Sequence, residues 1–437
     1  MHELTELIRQ DMKPALGVTE PGAIAFAAAT ARRHTKGAVR QVKLRLNSGM
    51  FKNAFTCGIP GSSEVGNAHA AALGVTGADP DKGLECLDGV TPEQAQQAKA
   101  MVEAGQIDVE MAGITSRIFI EAIVTAEEGE AAVTIRDTHT NIVRITENGR
   151  TVYEKEAQEE GQAGGQTEAK DSALPLIHRY TLAELHKYAL TVPAEELSFI
   201  REAFAMNMAL CQAGLESPKT SYARYLLAEN GGRIISEDEQ KTASLLCNGA
   251  IEARVLGLPE PAMSITGSGA HGIIATMPLY AAYKVKGYPE EKLLRATALS
   301  YLICMYIKEY SGRLSAFCGC AIAAGTGMAC GLVLLRDGST EMMARTINNM
   351  ASSITGMICD GGNQGCAMKG VVAVDAAWRS AAMAMEGVYI HSVHGINGST
   401  PEQTMRNMGQ IASPGMVGTE KTIIEILEGK SDFGRRE

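Results

Sequence analysis

Aromatic side chains are scarce in this chain: Phe, Tyr and Trp make up 5% of 437 residues, with a single Trp. A core with so few rings must be filled by aliphatic and small side chains, and 46 glycines and 21 methionines point to closely packed helices. Long basic blocks are missing too. No Lys/Arg run exceeds the "ARRH" at 31–34, and 40 basic against 50 acidic residues give a net charge of -10, which argues against nucleic acid or an anionic membrane as partner. The N-terminal "MHELTELIRQDMKPAL" has acidic residues and no apolar run, so it reads as an amphipathic helix and not a secretory signal, and a cytoplasmic location is expected. Leu314 to Leu335 carries no charge, but its Ala, Gly, Ser, Thr and Cys content reads as a buried helix and not a membrane span. Neither a C-x-x-C pair nor a Cys/His array of zinc-finger spacing occurs. The ten cysteines of a cytoplasmic chain are then free thiols or metal ligands.

What is present divides into two parts. The length exceeds the usual size of one core, so two domains are expected. Residues 3–34 read as two helices broken at "LGVTEPG", with Pro21 at the first helical position and Thr19 or Glu20 as cap. "VRQVKLRLNSG" and "VTIRDTHTNIVRIT" alternate like half-buried strands, with helical patterns around 62–74 and 93–104. Residues 154–171, polar and without large apolar side chains, read as a linker. From Leu174 the pattern is almost continuously helical, broken by turns such as "LGLPEP" and "KGYPEE", and no repeat period is found. The expected class is α+β: a mixed α/β domain over 1–165 and a mostly α-helical domain over 166–437.

The chemistry-bearing residues lie in polar, glycine-rich turns. "MICDGGNQGCAMKG" sets Cys359 and Cys366 on either side of a loop that is a poor place for an inert thiol, whereas Cys86, Cys211, Cys247, Cys304 and Cys330 read as ordinary buried cysteines. Soft thiolates favour an iron–sulfur cluster or zinc. Three ligands, Cys318, Cys359 and Cys366, would leave one iron of a four-iron cluster open for Lewis-acid chemistry. Cys320 competes with Cys318, because helix residues two apart point about 200° from each other and only one can face the loop. In "ITGSGAHGIIATMP", Gly267, Gly269 and Gly272 form G-x-G-x-x-G without a strong preceding strand or a βαβ unit, so a dinucleotide site is a weak reading. A loop of Gly267, Ser268 and Gly269 at a helix N-terminus suits a small anion such as an amino-acid carboxylate, with His271 at the start of that helix. "DTHTNIV" supplies His139, Thr140 and Asn141 at the start of a strand, and "NSGMFKNAFTCGIPGSS" supplies Asn47, Ser48, Asn53 and Cys57. Lys369 offers an alternative, a Schiff base with pyridoxal phosphate, against the plainer reading of a solvated helix lysine.

"KPALGVTEP", "THTNIV", "GSGAHGIIATMP", "GRLSAFC" and "GMICDGGNQGCAMK" together resemble, in order and spacing over nearly the whole chain, the single-chain L-cysteine desulfidases and the bacterial proteins grouped with them. That family is similar to the alpha-chain domain of the iron–sulfur L-serine dehydratases. The resemblance implies an oxygen-sensitive [4Fe–4S] cluster on Cys318, Cys359 and Cys366, and α,β-elimination of a small L-amino acid to pyruvate and ammonia without pyridoxal phosphate. The family's first motif commonly reads G-C-T-E-P, and its cysteine is the proposed base; Val18 stands there in this chain. Valine accepts no proton, which leaves Glu20, Cys57, His139 and His271 as candidates.

The sequence therefore predicts a lyase acting on L-cysteine, with L-serine dehydration as the alternative and a non-catalytic cluster or thiol sensor as the reading from another class. The candidate catalytic residues are Glu20, Cys57 and His139; the candidate substrate-binding residues are Thr19, Asn53, Asn141, Gly267, Ser268, Gly269 and His271. The expected partners are the substrate and further copies of the chain.

Overall fold

The computed structural model describes residues 1–155, 174–312 and 314–430. The expected boundary at 165/166 and all but the first two residues of the 154–171 linker lie outside the described residues. The N-terminal region holds α1 (Glu3–Asp11), β1 (Lys13–Leu16), α2 (Thr19–Arg33), β2 (Lys36–Asn47), α3 (Ser48–Asn53), α4 (Gly66–Thr76), α5 (Pro92–Glu103), β3 (Ile107–Gly113), β4 (Phe119–Arg136), β5 (Ile142–Glu147) and β6 (Arg150–Glu154). The rest is helical except for one short strand: α6 (Leu182–Thr191), α7 (Arg201–Glu216), α8 (Tyr222–Glu229), α9 (Glu239–Val255), β7 (Pro261–Ser264), α10 (Gly269–Lys286), α11 (Glu290–Ser311), α12 (Gly325–Leu335), α13 (Thr340–Ile354), α14 (Gly365–Met385), α15 (Pro401–Gln410) and α16 (Val417–Lys430). This is the α+β arrangement expected from the patterning, a mixed sheet followed by a helical assembly.

Five strands form one sheet in the order β3-β2-β4-β5-β6, parallel between β2 and β3 and antiparallel elsewhere. In β4, Ile120, Ala122, Val124 and Ala126 alternate inward, and α2 covers that face. Small residues allow close contact, as the glycine content predicts. A Cβ on Gly74 of α4 would lie 2.6 Å from the Ala25 carbonyl of α2, and one on Gly327 of α12 would lie 2.2 Å from the Ser300 carbonyl of α11. Among the described residues, no helix is long and apolar enough to cross a membrane.

Five local expectations change. The break before α2 contains a strand, β1, which pairs antiparallel with β7 more than two hundred residues away. Strand β7 also precedes the glycine loop, although at four residues it lacks a periodic signature. Val18 occupies the α2 cap without a side-chain bond, Pro21 is the third helical residue, and the Thr19 hydroxyl donates to Glu20. The uncharged stretch is not one helix: 314–318 is irregular, a π-helical turn spans Cys320–Ala324, and α12 follows. Residues 137–141, including His139, make the β4–β5 turn and do not start a strand.

Candidate active site

Two loop segments far apart in sequence run antiparallel through a bridge between Phe317 and Ile358. The Cys318 N–H donates to the Met357 carbonyl at 3.0 Å and the Cys359 N–H to the Ala316 carbonyl at 2.6 Å, so the two cysteines flank one bridge. Cys366 opens α14 just beyond the glycines, its thiol 3.6 Å from the Gly361 carbonyl. Contact with Cys320 and burial push the Cys318 thiol well up; burial pushes Cys359 up and Cys366 to about 12. Cys359 and Cys366 both feel the Cys318 charge, and Lys369 pulls all three thiols down. Cys320 touches Cys318 but also acts on Cys247 and Cys304, among the buried helices.

The loop is pinned by a residue the sequence did not single out. Lys52 of α3, fully buried, donates to the Ser315 carbonyl at 3.0 Å, the Cys359 carbonyl at 2.8 Å and Glu420 of α16 at 2.7 Å. One ammonium thus joins both cysteine-bearing segments and neutralises a buried carboxylate. Gly361, at φ +112, has no room for a side chain, since a Cβ would lie 2.5 Å from the Lys52 carbonyl. A Cβ on Gly362 would lie 2.7 Å from the Asn53 carbonyl, 3.2 Å from Val18 Cγ1 and 3.5 Å from Cys57 Cβ. Position 18 therefore touches the cysteine loop.

Beside this contact sits a polar group drawn from α2, α3 and the β4–β5 turn. Glu20 is 5% exposed and accepts from Asn53 Nδ2 and the Thr19 hydroxyl, each at 3.0 Å. His139 Nε2 lies 3.7 Å from Glu20 Oε1, an ion-pair separation too long for a hydrogen bond, so this buried nitrogen has no hydrogen-bond partner among the described residues. Burial pushes the Glu20 carboxyl up, but His139, Asn53 and Arg254 outweigh it and hold it at about 2. Asn53 also accepts from the Cys359 thiol at 3.8 Å, which links the carboxylate to the cysteines. Cys57 is fully buried, and burial with the Glu20 charge keeps its thiol protonated.

The third component is the glycine loop. Thr266 and Gly267 are both left-handed, at φ +52 and +76, and α10 begins at Gly269 with Ser268 at its cap making no side-chain bond. The first N–H groups of α10 are thus left without side-chain capping. Thr266 Oγ1 meets His271 Nδ1 at 2.5 Å, and His271 Nε2 lies 2.8 Å from where a Gly319 Cβ would stand, next to Cys318. Burial, Lys308 and Arg254 hold the His271 imidazole well below its ordinary value. Arg254 of α9, 4% exposed, was not singled out either, because a basic residue in the last turn of a helix reads as a dipole partner.

Asn141 stands apart. Its amide donates to the Arg136 carbonyl and accepts from Lys155, within a cavity of about 960 Å³ on the open face of the sheet. A cavity of about 710 Å³ adjoins the cysteine loop instead, lined by Thr56 and Gly58 around Cys57 and by Asn363–Gly365 before Cys366. Lys369 is paired with Asp360, which outweighs burial and holds it as an ammonium ion, the wrong state for Schiff-base attack.

No group of three or more His, Cys, Asp or Glu among the described residues is arranged to hold a single metal ion. The donor set fits a multi-iron cluster better: three soft sulfurs, Lys369 opposing on all three the burial that protonates them, with Lys52 adding to it at Cys359, and glycines that keep backbone close.

A sequence profile described as serine dehydratase alpha chain matches residues 81–425. A UPF0597 protein of Clostridium botulinum is 42% identical over 97% of this chain and 98% of its own length. Counterparts of the same name from Aeromonas hydrophila and Caldanaerobacter subterraneus are 35% and 34% identical, each over 97% of this chain and over 95% and 97% of their own.

Proposed function

The chain belongs to the serine dehydratase alpha chain family, among its UPF0597 members, and from that premise we propose that it is an iron–sulfur lyase for a small L-amino acid. The reaction proposed is α,β-elimination of L-cysteine to pyruvate, ammonia and sulfide. The carrying observation is the bridge between the Cys318 and Cys359 segments, with Cys366 near enough to interact electrostatically with both, next to the Glu20–Asn53–His139 group. These three thiols would hold a [4Fe–4S] cluster, which when bound supplies a Lewis acid for the departing β-substituent.

The remaining steps use the chain's own groups. The N–H groups at the start of α10, behind Gly267 and Ser268, hold the substrate carboxylate. In its neutral form His139, whose buried Nε2 has no hydrogen-bond partner among the described residues, takes the Cα proton, and ionised Glu20 stabilises the imidazolium so formed. The Cα–H electron pair becomes the Cα=Cβ bond as the Cβ–S bond breaks and sulfide leaves. Aminoacrylate then tautomerises to the imine, and water converts it to pyruvate and ammonia. Glu20 itself, held at about 2, is too weak a base for this step, and Cys57 stays a thiol. Thr19 and Asn53 fix the carboxylate that orients the imidazole.

Val18 favours a second reading. Without a thiol at position 18, the site would bind its ligand as a sensor without turnover; L-serine, with hydroxide as leaving group, is the alternative substrate of the same elimination. Anaerobic reconstitution followed by a pyruvate assay with L-cysteine and L-serine in parallel separates the three. Pyruvate and sulfide from cysteine are expected; pyruvate from serine alone selects the dehydratase, and a loaded protein giving none from either substrate selects the sensor.

A further inference from the structure

Arg254 is a buried cation without a matching anion among the described residues. Its Nε has no hydrogen-bond partner, and no carboxylate lies within ion-pair distance of its guanidinium among the described residues. The acidic neighbour on the same helix, Glu252, faces elsewhere: its two oxygens accept the backbone N–H groups of Ser221, Tyr222 and Ala223 at the start of α8. Glu20 is engaged by Thr19, Asn53 and His139. A guanidinium enclosed in this way is expensive to bury, and the arrangement makes sense when a further anion completes it.

The position of the side chain says where that anion goes. A Cβ on Gly269, the first residue of α10, would lie 2.6 Å from Arg254 Nε and 3.1 Å from its Cδ. The guanidinium therefore rests against the uncapped N-terminus of α10, just after the left-handed Thr266–Gly267 turn. Helix N–H groups and a planar cation converge on one spot, and that pairing recognises a carboxylate through two parallel hydrogen bonds. Arg254 also acts electrostatically on Glu20, Cys57 and His271, so the spot adjoins the groups assigned to catalysis.

We propose that Arg254 and the α10 N-terminus form the subsite for the substrate α-carboxylate, restricting the protein to free amino acids and excluding their amides, esters and decarboxylated amines. The inference rests on the lyase reading only for the choice of ligand. Gly269 then has a specific task, to leave the guanidinium room beside the helix end.

The test uses L-alanine, which has the carboxylate but no leaving group, against L-alaninamide. Calorimetric titration of the full chain is expected to show L-alanine binding that weakens about a hundredfold in Arg254→Gln, and equally weak binding of the amide to the natural protein. Arg254→Lys should recover only part, since an ammonium lacks the planar fork. Ligand-free Arg254→Gln is expected to melt no lower than the natural protein, an outcome that a structural arginine would not give. If that variant fails to fold, the arginine is structural and the proposal is overturned; Gly269→Ala, which displaces the guanidinium without removing it, then tests the glycine loop by the same titration. Equal affinity for L-alanine and its amide, unchanged binding in Arg254→Gln, or no L-alanine binding at all each overturns the subsite. Arg254-dependent binding without pyruvate from cysteine or serine leaves the subsite standing and removes the lyase reading. Pyruvate formation that ignores Arg254 does the reverse.

Discussion

Replacing any of Cys318, Cys359 or Cys366 by Ser is expected to abolish iron retention after anaerobic reconstitution, while Cys320→Ser, Cys86→Ser and Cys211→Ser keep it. Cys320 also acts electrostatically on Cys247 and Cys304, and Cys86 and Cys211 belong to the buried hydrophobic core. Full iron in the Cys318 variant together with none in the Cys320 variant would reverse that choice. Position 18 gives a second residue-level expectation. General-base loss typically lowers a rate by about 10² to 10⁴, and Val18 lies at the start of α2 against Gly362. Val18→Cys should raise cysteine desulfidase activity at least about tenfold, because the helix N-terminus favours a thiolate there; no gain would leave proton removal to His139 alone. Glu20 supplies a pH dependence. Its folded value, about 2, lies below the ordinary 4.5, so its contribution to stability, on the order of 3 kcal/mol, is present above about pH 4.5 and is lost as pH falls toward 2. Denaturation series between pH 5 and 2.5 should show a steeper loss for the natural chain than for Glu20→Gln.

At the scale of elements, Lys52 on α3 and Glu420 on α16 act as a clamp on the two cysteine loops. Lys52→Met leaves a carboxylate buried alone and is expected to destabilise the fold by about 3–5 kcal/mol. The double variant Lys52→Met with Glu420→Leu should regain most of that in urea denaturation yet still retain iron poorly, because the carbonyls of Ser315 and Cys359 have lost their donor. Recovery of both properties would reduce the clamp to simple charge neutralisation. The same elements show how far a sequence can be read. Alternation in "VRQVKLRLNSG" locates β2, and the apolar periods locate α4 and α5 to within a few residues, because each pattern is local. Strands β1 and β7, four residues each and paired across the chain, leave no periodic trace. The three cysteines proposed as ligands stand out through the glycine loop and the resemblance to a family, whereas Arg254 and Lys52 look like ordinary helix cations until their surroundings are known. A missing N-cap side chain at Val18 and an uncapped α10 are local defects that become intelligible only as parts of a site.

For the molecule as a whole, β1 pairs with β7, and one continuous set of buried side chains runs from Leu4 through the sheet to the C-terminal helices. Chains 1–155 and 174–437, produced together as separate polypeptides, are accordingly expected to copurify and to unfold in one transition. Two independent transitions would mean that the shared interior contributes little. The Lys52–Glu420 pair, 368 residues apart, has a consequence for biogenesis. A ribosome releases the β-sheet and α3 long before α16 exists, so throughout synthesis Lys52 waits without its counter-charge and the two cysteine loops lack their clamp. The thiols emerge after the sheet but before α16, so their enclosure closes last. On the proposed reading, the window in which a cluster could reach the three thiols before Glu420 joins the clamp is therefore co-translational.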